Sequence, residues 1–167
     1  MAFKRSFLQA KEPRPKKLIG LVGALLCALL SASPATVQAQ QGTTLPGLAG
    51  GQLAPADLAQ GTHIVVVWAS WSPRCRDIAP RVNQLAKKFA GQAQVVTVDF
   101  QEEKAAVEEF VRQHPFDVAI YLDRDGEFSK GHAVTTLPGL IVVRKGEVLF
   151  QGRLAADADA QVQDLLH

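Results

Sequence analysis

Two side chains that carry nucleophilic atoms, Ser72 and Cys75, stand three positions apart just after the apolar run from Ile64 to Trp68. Two thiols at this spacing, after a strand and a turn, form a site that exchanges disulfides. Here the first position carries a hydroxyl, which forms no comparable anion near neutral pH without a strong base beside it. The pair therefore predicts either chemistry by Cys75 alone or no thiol chemistry.

A structural role explains Ser72 without any chemistry. Serine is a preferred N-cap residue, and Pro73 follows at the first helical position, where proline is favoured. The flanking arginines and the helix dipole favour the thiolate of Cys75, whereas burial favours the neutral thiol, and the sequence leaves this balance open. We expect Cys75 to face inward beneath the capped helix.

The N-terminal segment has the order of a secretory signal. Residues 1–17 carry six basic residues against one acidic residue, an apolar run follows from Leu18 to Leu30, and small residues lead to Ala39. The apolar run is shorter than the 20 or so residues that a membrane span needs. Residues 1–39 are therefore predicted to be a signal peptide, which places the protein in the periplasm or an equivalent exported location. Membrane attachment is expected only if the leader stays uncleaved.

Removal of the leader changes the charge and the thiol count. Six of the 18 basic residues and one of the 16 acidic residues lie in the leader, which leaves 12 basic against 15 acidic residues. An acidic chain without a basic patch excludes nucleic acid as a partner. Cys27 also lies in the leader, so Cys75 is the only thiol of the predicted mature protein and has no internal disulfide partner.

The rest of the chain alternates between strand and helix patterns. Residues 40–52, rich in Gly and Gln, are predicted to be a linker, and residues 53–167 are predicted to form one domain. The strand candidates are Ile64–Trp68, Val95–Phe100, Val118–Leu122, Leu140–Val143 and Val148–Gly152. Helical spacings begin at Ile78, Val107 and Val162, a short helical turn is expected over Phe128–Ala133, and Arg144–Glu147 is a hairpin turn. This order predicts an α/β domain with a central mixed sheet flanked by helices.

The segment from Val65 to Cys75 resembles the active-site segment of thioredoxin-like proteins, most closely the exported TlpA/ResA-like branch. The four residues Trp68–Trp71 match the stretch before the first family cysteine, and Cys75 matches the second. Pro80 matches the proline of the active-site helix, and Pro138 matches the family's cis-proline. The resemblance covers about residues 53–166 and implies a thioredoxin-like fold.

The resemblance also implies a groove for a partner. Its walls would be Trp71, Pro73, Arg74, Leu137 and Pro138, with Trp71 at the surface and the backbone of the cis-proline loop available to an extended peptide. Trp68, by contrast, is expected in the core. A partner would be an envelope protein or peptide, held non-covalently or by a mixed disulfide at Cys75.

Three departures from the family lie where the chemistry should occur. Ser72 occupies the position of the first cysteine, and the two positions where the family or this branch places a proton-carrying acid hold Val66 and Ile78. Both apolar residues are expected in the core. Activity as a thiol-disulfide oxidoreductase is therefore implied by family resemblance but lacks its nucleophile.

Other candidate sites are absent from the sequence pattern. His63, His114, His132 and His167 share no ligand spacing, so neither a metal nor a cofactor is predicted. The acidic run Glu102–Glu109 is interpreted as a solvated helix face.

Three functions follow from the sequence. The first is a binding module that holds a partner protein or peptide without two-thiol catalysis, and the site residues favour it. The second is a periplasmic thiol-disulfide oxidoreductase that uses Cys75 alone, in cytochrome c maturation or redox homeostasis. The third is a structural subunit of an envelope assembly.

Overall fold

The computed structural model describes residues 42–167, which form a five-stranded mixed sheet covered by helices on both faces. The strands of this sheet are β3 (Thr62–Trp68), β4 (Gln94–Phe100), β5 (Ile120–Asp123), β6 (Gly139–Arg144) and β7 (Glu147–Arg153). The helices are α1 (Pro55–Leu58), α2 (Ile78–Lys88), α3 (Lys104–Gln113), α4 (Glu127–Gly131) and α5 (Ala158–Leu166). The predicted α/β architecture with a mixed sheet is confirmed.

The order of the strands determines where loops meet. The sheet runs β5-β4-β3-β6-β7, with β3, β4 and β5 parallel to one another and β6 antiparallel to both β3 and β7. The carboxyl ends of β3, β4 and β5 therefore lie at the same edge as the amino end of β6. Opposite residues such as Val67 and Gly139 bring the segment after β3 beside the segment before β6.

Each face of the sheet has its own apolar layer. Ile64, Val66 and Trp68 point to the face covered by α2, α3 and α5, whereas Val65 and Val67 point to the face covered by α1 and α4. All five side chains are fully buried. A strand with both faces covered needs apolar residues at every position, which is why β3 has no alternation of polar and apolar residues.

The hairpin between β6 and β7 is the turn that the sequence predicts. Lys145 and Gly146 both have positive φ angles, 51° and 82°. Positive φ at both central residues is the geometry of a type I′ turn, whose twist matches that of the flanking strands. The backbone N–H groups of Lys145 and Gly146 donate to the carbonyls of Gly61 and Leu58, so the turn is fastened to the segment that enters β3.

The start of the described region differs from the sequence-based expectation. Within the predicted linker 40–52, Leu45–Pro46 (β1) pairs antiparallel with Gln52–Leu53 (β2), and Leu45 is buried in the core. The predicted leader, residues 1–39, lies outside the described residues. Within residues 42–167 no helix has the length and apolar character that a bilayer crossing requires.

One acidic side chain, that of Asp99 near the carboxyl end of β4, lies inside the core. Asp99 is fully buried and stands opposite Trp68 in the parallel ladder, so it points to the face that also holds Cys75. Burial, together with the neighbouring carboxyl of Glu102 and the charge of Asp123, raises the pKa of Asp99 from 3.8 to about 9. At neutral pH the folded protein therefore keeps a proton on this carboxyl group.

The raised pKa of Asp99 makes stability depend on pH in a defined direction. Between pH 3.8 and about 9 the folded chain binds a proton that the unfolded chain has released. Folding stability contributed by this group is therefore complete below pH 3.8 and declines as the pH rises through the window, by up to about 1.4 kcal/mol per pH unit.

Asp99→Asn is expected to flatten this decline, because the amide cannot lose a proton. Urea unfolding at about pH 5, 6, 7 and 8 measures the free energy of unfolding of both proteins. The value for the variant minus the value for the wild type should increase by about 1 kcal/mol for each pH unit. Asp157→Asn, at an exposed position, is the matched control and should leave the slope unchanged. Equal slopes for the wild type and Asp99→Asn would contradict the assignment.

Candidate functional site

The segment after β3 turns sharply at the edge of the sheet. The backbone N–H of Ser72 donates to the carbonyl of Ala69 at 3.2 Å, which closes a turn with Ser70 and Trp71 at its centre. Trp71 is 61% exposed, whereas Trp68, three residues earlier, is fully buried against Phe110 and Phe116. Both sequence-based expectations for the tryptophans are confirmed.

Ser72 does not cap a helix with its hydroxyl. It is buried, and its carbonyl accepts a 2.9 Å hydrogen bond from the backbone N–H of Cys75, but its side chain makes no capping hydrogen bond. Residues Pro73–Cys75 form a single 3-10 turn, and α2 begins only at Ile78. Ser72 therefore occupies the predicted N-cap position, with Pro73 at the first position of the turn, but it caps without a side-chain hydrogen bond.

Cys75 faces inward, as the sequence predicts. Cys75 is 1% exposed, and its side chain belongs to the apolar layer that contains Val66 and Ile78. It is a free cysteine, and residues 42–167 contain no other. Val66 and Ile78 are themselves fully buried, which confirms that both act as core residues.

The histidines of the described region are engaged away from Cys75. The Nε2 atom of His63 lies 2.6 Å from the carbonyl of Gln60, at the opposite end of β3. The ring of His114 packs on Phe110, and that of His132 packs on Phe128. Within residues 42–167, no group of three or more His, Cys, Asp or Glu side chains is arranged to hold a metal ion.

Glu102 contacts the turn that carries Trp71, a role that the sequence pattern did not indicate. Its two carboxylate oxygens accept hydrogen bonds from the backbone N–H and the hydroxyl of Ser70. Glu102 lies in the connection between β4 and α3, because the helix begins only at Lys104. The interpretation of Glu102–Glu109 as one solvated helix face is wrong at its first residue.

The second loop at this edge precedes β6. The Leu137–Pro138 peptide bond is cis, and Pro138 is buried with its carbonyl accepting from the backbone N–H of Leu154 at 2.9 Å. Leu137 is half-buried and packs against the core. Among residues 42–167 no backbone partner satisfies the N–H or the carbonyl of Leu137.

The rim of the site carries positive charge. Pro73 and Arg74 are exposed, and so is Arg76 on the other side of Cys75. Neither arginine forms an ion pair with another residue of the described chain. The five groove residues expected from the sequence thus lie on two loops, after β3 and before β6, that the ladder between these strands places side by side.

Known proteins share this fold and parts of this sequence. The thiol-disulfide oxidoreductase ResA of Bacillus thuringiensis subsp. konkukian is 25% identical over 100 residues, which cover 59% of this chain and 58% of ResA. The chain thus spans little more than half the length of that relative. Thioredoxin H4 of Arabidopsis thaliana is 28% identical over 116 residues, or 70% of this chain and 79% of the relative.

Solved structures of thiol-disulfide interchange proteins share this fold. A protein from Chlorobium tepidum, described as a thiol:disulfide interchange protein DsbE, superposes with a TM-score of 0.66 at 26% identity, covering 75% of this chain and 93% of that one. The family model described as AhpC/TSA matches residues 37–151, well over half of the chain. The chain therefore belongs to the AhpC/TSA family of thioredoxin-like proteins, with ResA- and DsbE-like thiol-disulfide oxidoreductases among its relatives.

Proposed function

We propose that this protein is exported and binds an extended segment of a partner protein at the loops after β3 and before β6, without running a two-thiol cycle. Trp71, Pro73 and Arg74 would contact side chains of the segment, and Leu137 with Pro138 would receive its backbone. Export rests on the basic and apolar order of residues 1–39. The partner is an envelope protein or peptide.

The observation that carries this proposal is the contrast between Trp71 and Cys75. The tryptophan is 61% exposed, and the thiol four residues later is 1% exposed. Exposed aromatic side chains at the centre of a contact surface are the residues that contribute most to binding between proteins. If Cys75 alone attacked a partner's disulfide, its sulfur would have to be exposed, whereas this site buries the sulfur and exposes Trp71.

The backbone beside Trp71 supports an extended ligand. Among the described residues the peptide groups of Leu137 have no hydrogen-bond partner, although the strand that follows is fully paired. An extended peptide satisfies such groups by pairing as one more strand, with affinity from main-chain hydrogen bonds and specificity from side-chain contacts. The exposed, unpaired Arg74 and Arg76 favour an acidic side chain in that segment.

Residues 42–167 lack the second thiol that two-thiol exchange requires. Exchange within one protein needs a thiolate that attacks a substrate disulfide and a second thiol that resolves the mixed disulfide. Cys75 is the single thiol in this region, and the hydroxyl of Ser72 cannot form a disulfide. The positions adjoining Cys75 that could hold a proton carrier, Val66 and Ile78, are apolar.

One observation favours a second function. The relatives named ResA are thiol-disulfide oxidoreductases, so this protein is alternatively a one-thiol exchange protein. In that case the Cys75 thiolate would attack a partner's disulfide, form a mixed disulfide and release one partner sulfur as a thiolate. A thiol from another molecule would then have to release Cys75.

Capture of partners from a cell-envelope extract tests the binding proposal. We expect proteins retained by the wild type to be retained equally by Cys75→Ala, and retention by Trp71→Ala to fall about 10-fold or more. Val148→Ala is the matched control, because Val148, on β7, is the other exposed large apolar residue within residues 42–167. Loss of retention in Cys75→Ala with no effect of Trp71→Ala would favour the one-thiol function.

Alkylation measures whether Cys75 is available. With iodoacetamide at constant pH, we expect the native protein to react about 100-fold or more slowly than the same protein unfolded in urea, since the thiol reacts only when its surroundings open. The reaction of the unfolded protein is the internal control, since it shows that the reagent is active and that the thiol can be alkylated. Rapid reaction of the native protein at about pH 6 would show a reactive thiolate and contradict the binding proposal.

Replacement of the hydroxyl by a thiol tests whether the loop keeps exchange geometry. The wild type should reduce insulin with dithiothreitol at the background rate, and Ser72→Cys should show weak activity above it. Weak activity is expected because Val66 and Ile78 supply no proton carrier. The double variant Ser72→Cys with Cys75→Ala is the control and should be inactive. Wild-type turnover at the rate of an ordinary thioredoxin would exclude the binding proposal.

A further inference from the structure

The carboxyl group of Asp99 accepts no hydrogen bond from any residue of the described region. Both of its oxygens are fully buried, and neither has a partner among residues 42–167. An ionised carboxylate accepts hydrogen bonds and donates none, so an ionised Asp99 would be buried without compensation. A protonated Asp99 needs an acceptor instead.

Glu102 can serve as this acceptor. Its two side-chain oxygens already accept the backbone N–H and the hydroxyl of Ser70, and they have lone pairs left for a third hydrogen bond. Besides burial, Glu102, three residues further along the chain, raises the pKa of Asp99 both by a side-chain hydrogen bond and by its charge. A proton on Asp99 satisfies both acids at once, because Asp99 donates and Glu102 accepts a third hydrogen bond.

Trp68, opposite Asp99 in the ladder, has a buried Nε1–H that also makes no hydrogen bond within residues 42–167, so this donor does not compensate an ionised Asp99. Asp123, on β5, accepts from the backbone N–H groups of Phe128 and Ser129 at the start of α4 and adds negative charge. Glu103, which precedes α3, binds Arg124, and within α3 Lys104 binds Glu108 and Arg112 binds Glu109. The charged groups that act on the pKa of Asp99 are the acids Glu102 and Asp123.

We propose that Asp99 is a positioning residue: its carboxyl group holds a proton, donates it in a hydrogen bond to Glu102, and through Glu102 holds Ser70 and the turn that presents Trp71. The order of contacts runs from the core to the surface through three side chains. Ser70 and Trp71 are the two central residues of the Ala69–Ser72 turn, so the position of one determines the position of the other.

The proposal makes the contact surface depend on pH. When Asp99 loses its proton, two carboxylates stand side by side in the core, and their repulsion drives Glu102 away from Asp99 and off Ser70. The turn then loses two hydrogen bonds and Trp71 moves. The consequence for ligand affinity rests on the proposed function, whereas the movement of Trp71 does not.

Fluorine NMR of the 5-fluorotryptophan-labelled protein measures that movement without any ligand. Its two resonances are assigned with Trp71→Phe, and both are followed from about pH 6 to about pH 10. We expect the Trp71 resonance to shift with a midpoint near pH 9 in the wild type. Asp99→Asn should abolish this midpoint, because its amide donates to Glu102 at every pH.

Two further variants make the result specific. Glu102→Gln should abolish the Trp71 midpoint, because a neutral amide is not repelled when Asp99 loses its proton. Glu103→Gln, the matched control on the adjacent exposed acid, should leave it unchanged. If Glu102→Gln fails to fold, the comparison of Asp99→Asn with Glu103→Gln still decides.

Specific results would overturn the proposal. A midpoint seen at Trp68, which is paired with Asp99, but not at Trp71 would show that the acid titrates without moving the turn. A Trp71 midpoint that persists in Asp99→Asn, or no midpoint at either tryptophan, would show that Asp99 does not hold the turn. Because no ligand is present, these results stay separate from the success or failure of partner capture.

Discussion

Strand β3 is hydrogen-bonded on both sides, in parallel to β4 and antiparallel to β6, and the arrangement of the site depends on this double pairing. The parallel partner places the connection after β4, with Glu102, at the edge where β3 ends. The antiparallel partner places Leu137 and Pro138 at the same edge, one residue before Gly139 meets Val67. Two segments distant in sequence, the connection after β4 and the loop before β6, thus flank the turn that carries Trp71.

That turn divides its residues sharply between core and surface. After Trp68 the chain must leave the sheet, and the 3-10 turn Pro73–Cys75 returns it to the apolar layer before α2 begins. Cys75 is consequently packed where a core residue belongs, and Trp71 projects outward. The burial of the thiol follows from the path of the chain rather than from a covering lid.

The elements of the sheet could be predicted because apolar runs of four to seven residues between helical spacings leave few alternatives. β1 and β2 escaped prediction because two-residue strands among Gly, Gln and Pro have no periodicity to detect. The helix expected at Ser72 became a 3-10 turn, since cap preferences specify a residue type but not the length of the turn that follows. Glu102 was missed because its partner Ser70 is 32 positions away and is brought near only by strand pairing.

Asp99 could have been suspected from the sequence, since a carboxyl group inside an otherwise apolar strand is costly to bury. Its task could not, because that depends on which groups face it. Cys75 belongs to an apolar layer with Val66 and Ile78, whereas the one unpartnered buried carboxyl of the described region, Asp99, has its pKa raised by burial and by Glu102. In the proposed role, the proton on Asp99 acts through Glu102 on the turn that exposes Trp71. The ionisable group of this site would then control the position of a contact residue and would take no part in thiol chemistry.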